Sequence, residues 1–195
     1  MKAVLRLAMI LLCTSAFCQT TSEPIPSKWL RDGHLVVPEL NFSLEPPTPG
    51  SHWSYQELPN IEGSKATAFI ADADQERYAL IVMEKGGSVK LDDPVSRKRF
   101  LDDLQTSLPK NWQAVGDPQS EQTTVPVSGS WKVRVTIRRP EGDIFMYAYA
   151  IGGKRVYMLV DYSTETVEPP RFSRFVASFS LLSPRFKRFH SCCDT

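Results

Sequence analysis

Cysteine is scarce in this chain and badly placed for cross-linking. Of the four in 195 residues, Cys13 and Cys18 fall in the first eighteen positions, and Cys192 and Cys193 are neighbours near the C-terminus. Neighbours cannot clamp a fold, because a trans peptide holds their Cα atoms closer than a relaxed disulfide requires. The redox state of that pair stays open. There is no CxxC and no metal-type cysteine spacing. Histidine is scarcer still, with three at His34, His52 and His190. HExxH, GxSxG, a P-loop and GxGxxG are all missing, which removes the common signatures of metalloproteases, α/β-hydrolases, nucleotide-phosphate binders and dinucleotide enzymes. An excess of one charge is lacking too. With 23 Lys and Arg against 22 Asp and Glu the net charge is +1, so the chain carries no global footprint for nucleic acid.

Long apolar runs are absent after the start. Lys2 and Arg6 precede and interrupt an apolar stretch that ends at Leu12, and Ala16 and Cys18 place small residues three and one before Gln19. This is the layout of a secretory signal peptide over residues 1–18. A spanning helix needs about 20 apolar residues, and Cys13-Thr14-Ser15 cuts the run short. A lipid-anchored form is the lesser alternative, since Cys13 follows Leu12 and Cys18 follows Phe17 rather than small residues. The expectation is an exported protein, periplasmic or secreted, of bacterial type.

What is present begins with proline. Pro24, Pro26, Pro38, Pro46 and Pro47 punctuate residues 19–48; proline removes backbone donors and forbids helix interiors, so this stretch reads as an extended arm. A single domain is expected over residues 49–183, with a basic tail over 184–195. Within the domain, Lys65–Ala71 and Arg77–Glu84 read as strands, the second apolar enough for a central strand covered on both faces. Asp93-Pro94 is a cap followed by a first-turn proline, and Phe100, Leu101, Leu104 and Leu108 share a helix face. Trp112–Val115 reads as a short strand and Asp117–Glu121 as a polar loop. Trp131, Val133, Val135 and Ile137 alternate with Lys132, Arg134, Thr136 and Arg138, a strand with one apolar and one basic face. Ile144–Ile151 and Lys154–Tyr162 complete a meander. Phe172, Phe175, Val176 and Phe179 recur at helical spacing in a closing amphipathic helix.

Strands, helix, strands, helix in that order predict an α+β fold, an antiparallel sheet flanked by helices. The run from Tyr147 to Asp161, followed by Phe172–Phe179, resembles the end of PsbP-like domains, where an aromatic hairpin leads into a helix with a short Ser-Phe sequence. The likeness spans roughly residues 50–182. It implies an α/β/α sandwich and a non-catalytic binding role, with no shared catalytic residues to carry across.

Nothing in the pattern converges on catalysis. His34, His52 and His190 all read as surface histidines. Asp72 and Asp74 sit in a turn without the remaining ligands of a calcium loop, Asp92 and Asp93 suit capping, and Asp102 and Asp103 suit a polar helix face. No metal or cofactor is expected. The one constellation above background is a recognition surface of Arg134, Thr136, Arg138, Phe145, Tyr147 and Tyr149. A Glu141-Gly142 hairpin turn would place Arg138 opposite Phe145, Thr136 opposite Tyr147 and Arg134 opposite Tyr149 on one face. Aromatics and arginine are favoured at interface hot spots; the bland alternative is that the closing helix covers the aromatics. The tail from Arg185 to His190 is open to weak contact with an anionic surface. These residues predict a non-catalytic envelope or secreted domain that binds a protein partner or envelope component. A small-ligand or lipid carrier with a pocket lined by Phe145, Tyr147 and Tyr149 is the alternative, and a secreted hydrolase the least favoured.

Overall fold

A computed structural model describes residues 22–182, apart from 62–63, 74–75, 107 and 110. The signal peptide, the tail from 184, His190 and all four cysteines lie outside the described residues, as does Asp74.

Alternation and β-branched content dominate the middle of the chain, and they build sheet. After the short β1 (Glu23–Pro24), β2 (Leu30–Arg31), β3 (His34–Val37) and β4 (Phe42–Leu44) come the long strands β5 (His52–Ile61), β6 (Ser64–Ala73) and β7 (Glu76–Val89). Helix α1 (Pro94–Thr106) leads to β8 (Gln113–Thr123), β9 (Ser130–Arg139), β10 (Gly142–Ile151) and β11 (Gly153–Ser163). Helix α2 (Pro170–Ser178) and β12 (Ser180–Leu181) close the described chain. One sheet has eight antiparallel strands in the order β1-β5-β6-β7-β11-β10-β9-β8, and a second has four in the order β12-β4-β3-β2. Two meanders are thus joined edge to edge where β7 pairs β11.

The α+β expectation is therefore corrected. Strands make up 55% of the chain and the two helices among the described residues are short, so this is a mostly β protein rather than a helix-flanked α/β/α sandwich. The sequence overstated the helices because a short amphipathic segment looks as strongly periodic as a long one. On one face of the large sheet, α1 contributes Phe100 and Leu104 to a core with Ile81, Met83, Val135, Met146 and Met158. On the other face α2 supplies Phe172, Phe175 and Val176, and the small sheet supplies Leu35, Val37, Phe42 and Leu44. β7 lies centrally and is buried from Tyr78 to Met83, as its unbroken apolar run demands.

The expected extended arm is corrected as well. Residues 30–44 form three strands of the small sheet, and Leu35, Val37 and Phe42 are wholly buried. Prolines fall between the strands: Pro38 opens a 3₁₀ turn that Asn41 ends in the left-handed region at φ 65°. Phe42 packs edge-on against Phe69 with ring centroids 5.2 Å apart. The Tyr157 hydroxyl donates to the Leu40 carbonyl at 2.8 Å in the buried seam between the sheets. Asp93 caps α1 as expected, its Oδ2 accepting from the Ser96 N–H at 2.8 Å. Hydrogen bonds from Ser96 hold that carboxyl below its usual range.

Asp117–Glu121 is not a loop. It lies within β8, an eleven-residue edge strand with no buried residue, interrupted by an irregularity in register between Val115 and Gln119. An edge strand with no buried residue carries no strong apolar alternation, which is why the sequence hid residues 117–121.

Candidate functional site

The β9–β10 hairpin brings the arginines and aromatics together, but in a different register. Gly142 pairs Arg139, so the two-residue turn is Pro140-Glu141 rather than Glu141-Gly142. Phe145 pairs Thr136, Tyr147 pairs Arg134 and Tyr149 pairs Lys132. Every partner has moved by two residues. Side chains alternate with period two, so the shift leaves both sets on the same face.

The six expected residues then divide by what covers them. Tyr147 and Tyr149 are buried, at 2% and 6% exposure, under the segment that enters α2. The Tyr147 hydroxyl donates to the Glu165 carbonyl at 2.9 Å, and the Tyr149 hydroxyl to Glu168 Oε2 at 2.9 Å. Phe172 meets the Tyr149 ring edge-on at 6.0 Å between centroids. A cleft on this face takes in Tyr147 but neither Phe145 nor Tyr149. Phe145, Thr136 and Arg134 are half-buried and Arg138 is exposed.

Charge partners separate the cations of β9. Arg138 Nε lies 3.3 Å from Asp143 Oδ1. Lys132 Nζ lies 2.8 Å from Glu168 Oε2, whose side chain is only 8% exposed. Burial lowers the Lys132 ammonium, but the hydrogen bond and charge of Glu168 outweigh it and hold that group above its ordinary value. Burial, aided by Glu168, pushes the Tyr149 phenol up to about 12. Arg134 differs: among the described residues no carboxylate lies within ion-pair distance, and its Nε is buried without a hydrogen-bond partner. Its guanidinium rests 4.6 Å from the Phe145 ring centroid and 6.0 Å from that of Tyr147, a cation–π platform that fixes its orientation.

Arg134 lines a cleft of about 370 Å³ with Lys132, Tyr147, Glu168 and, from the edge strand, Gln119 and Glu121. Lys132 was within reach of sequence reasoning, since it alternates with Arg134 and Arg138. Glu168 was not, because it precedes Pro169-Pro170 in irregular chain and its approach to β9 is purely tertiary.

Of the three histidines, His34 and His52 lie among the described residues. His34 and His52 line a larger cleft of about 700 Å³ with Glu45, Ser51 and Trp53. His34 Nδ1 lies 3.8 Å from Glu45, but the Ser51 hydroxyl donates to the Thr48 carbonyl at 2.7 Å and bonds neither histidine. The carboxylate pairs have structural partners: Asp72 bonds Arg77 at 2.6 Å and Asp102 bonds Lys98 at 3.2 Å. No group of three metal-ligating side chains occurs among the described residues, and no helix there is long and apolar enough to cross a membrane.

One buried acid stands apart. Asp161, paired in register with Tyr147, is 4% exposed. Burial pushes its carboxyl up to about 7, helped by Glu76, Glu168 and Glu165 and opposed by the Tyr162 backbone N–H.

No family model matches the chain, and no curated protein matches it. Among solved structures, a protein from Bacteroides thetaiotaomicron VPI-5482 is 12% identical over 86% of this chain, with a TM-score of 0.36. This chain spans about half that neighbour's length, 50%, and a likeness at that score carries no argument about fold or function.

Proposed function

We propose that this is an exported, non-catalytic domain that binds a protein partner or an envelope component through the Arg134 side of the β9–β10 hairpin. One observation carries the reading: the Arg134 guanidinium is held on an aromatic platform in the lining of a cleft, with no carboxylate within ion-pair distance of it among the described residues. A cation fixed in place loses little further freedom on binding, and the surrounding rings shield what it contacts. Export is supported by the leader-like residues 1–18.

The test is a crosslinked capture from an envelope fraction with residues 19–195 as bait, wild type beside Arg134→Gln. A partner held by wild type and lost by the variant is the expected result. The same partner held equally by both removes this surface from consideration.

A further inference from the structure

We infer that the Arg134 cleft takes a carboxylate: the ligand presents a single carboxylate group, as a peptide C-terminus or a small organic acid does. The inference rests on the binding role just given and names the chemistry of that site.

The argument is a balance of charge within one cleft. Four ionic side chains line it, Glu121, Lys132, Arg134 and Glu168. Lys132 and Glu168 neutralise one another at 2.8 Å, and Tyr149 and Ser173 spend further hydrogen bonds on the same carboxylate. That leaves Arg134 as the cation without an acid and Glu121 as an acid without a cation. A guanidinium presents a planar fork of donors that matches a carboxylate in two parallel bonds. This one lies over the Phe145 ring and its Nε is buried, so its terminal nitrogens are what a ligand would meet. Glu121 stands on the β8 side of the same cleft, opposite Lys132 in register. It sets the limit on charge: the four side chains sum to zero, so a dianionic phosphate would load the cleft with twice the excess negative charge of one carboxylate, beside Glu121. A cleft of about 370 Å³ sits at the small end of ligand sites, which run from roughly 300 to 1,000 Å³. It admits a terminal group rather than a folded surface. One lining residue, Tyr147, is tied to the Glu165 carbonyl at 2.9 Å.

The experiment titrates ¹⁵N-labelled residues 19–195 with three probes: N-acetyl-trialanine with a free carboxylate, the same peptide as its C-terminal amide, and propionate. The free acid should give saturable shifts centred on β9 and the Thr166–Glu168 segment. The amide and the Arg134→Gln variant should each bind at least tenfold more weakly. Arg138→Gln, whose arginine is already paired with Asp143, should bind as wild type does. Propionate binding as well as the peptide identifies a small acid as the source, and peptide binding alone identifies a chain terminus; either supports a carboxylate. Equal binding of acid and amide overturns the assignment, as does no binding of any probe, or an Arg134→Gln variant with unchanged affinity. If Arg134→Gln fails to fold, Arg134→Lys keeps the charge, loses the fork, and should weaken the free acid several-fold. Partner capture that still needs Arg134 while the acids fail would sink the carboxylate and leave the binding role standing. Failure of both would remove the site.

Discussion

Replacing Asp161 by Asn should stabilise the protein at neutral and alkaline pH and leave it almost unchanged at pH 4. The carboxyl is buried on the second face of the large sheet, beneath the segment that enters α2, and no cation lies within ion-pair distance of it among the described residues. Burial raises it from 3.8 to about 7, with Glu76 on β7 and Glu165 and Glu168 in the loop after β11 adding to the effect. The folded state therefore binds a proton more tightly than the unfolded chain. Stability falls as pH rises through that window: the penalty is absent below 3.8 and fully present above 7. A difference of about three units is worth roughly 4 kcal/mol at 1.36 kcal/mol per unit, and local relaxation trims it, so a gain of about 2–4 kcal/mol at pH 8 is expected for Asp161→Asn. Urea unfolding of both proteins from pH 4 to pH 8.5 measures this, with the slope checked for constancy so that midpoints report stability. The other carboxylates titrate in both proteins and cancel in the difference. Two curves that run parallel across the range would refute the reasoning, and so would an Asn variant less stable than wild type at pH 8.

Three further outcomes follow from the packing. Phe42→Ala should cost about 3–5 kcal/mol in the same urea assay, because its ring fills the seam between the two sheets; an unaltered midpoint would return residues 19–48 to the status of a tether. Tyr157→Phe leaves the Leu40 carbonyl without its buried donor and should cost about 1–3 kcal/mol, with the near-ultraviolet signal of the aromatic core retained. Glu168→Gln keeps the shape but removes the charge that pairs with Lys132; stability should fall by about 1.5–3 kcal/mol, and the Tyr149 phenol should titrate below its present value of about 12 in an ultraviolet pH titration.

The strands of the core were legible because both faces of the large sheet are covered. Where a strand is buried on both sides, as β7 is from Tyr78 to Met83, the sequence becomes a continuous apolar run. Where one side is polar, as in β9, it alternates. Two kinds of element escape both patterns. An edge strand such as β8, with nothing buried, has no hydrophobic period to detect. The small sheet has strands of two to four residues, too short for a period to stand out among prolines. Its apolar residues were present in alternation all the same, at Leu35 and Val37 and again at Phe42 and Leu44. Proline density masked them, although Pro38 only shapes the connection between two strands.

The site was half legible for a reason rooted in the pleat. Placing the hairpin turn at Glu141-Gly142 rather than Pro140-Glu141 misassigned every cross-strand partner, yet the basic row and the aromatic row still share a face, because the error was two residues and not one. The face was therefore recoverable from alternation, while the partners were not. Which arginine is left without an acid depends on still less local facts. Arg138 finds Asp143 across its own hairpin, a contact the sequence nearly specifies. Lys132 finds Glu168 from a loop beyond β11, which no spacing on β9 announces. Arg134 lies between them, opposite Gln119 on the edge strand and Tyr147 on the inner one, and neither neighbour can neutralise it. Its open valence is a product of the register, and a hairpin in the expected register would have set Arg134 beside Tyr149 and Glu168 instead. The ligand chemistry proposed for the cleft thus follows from a two-residue choice of turn.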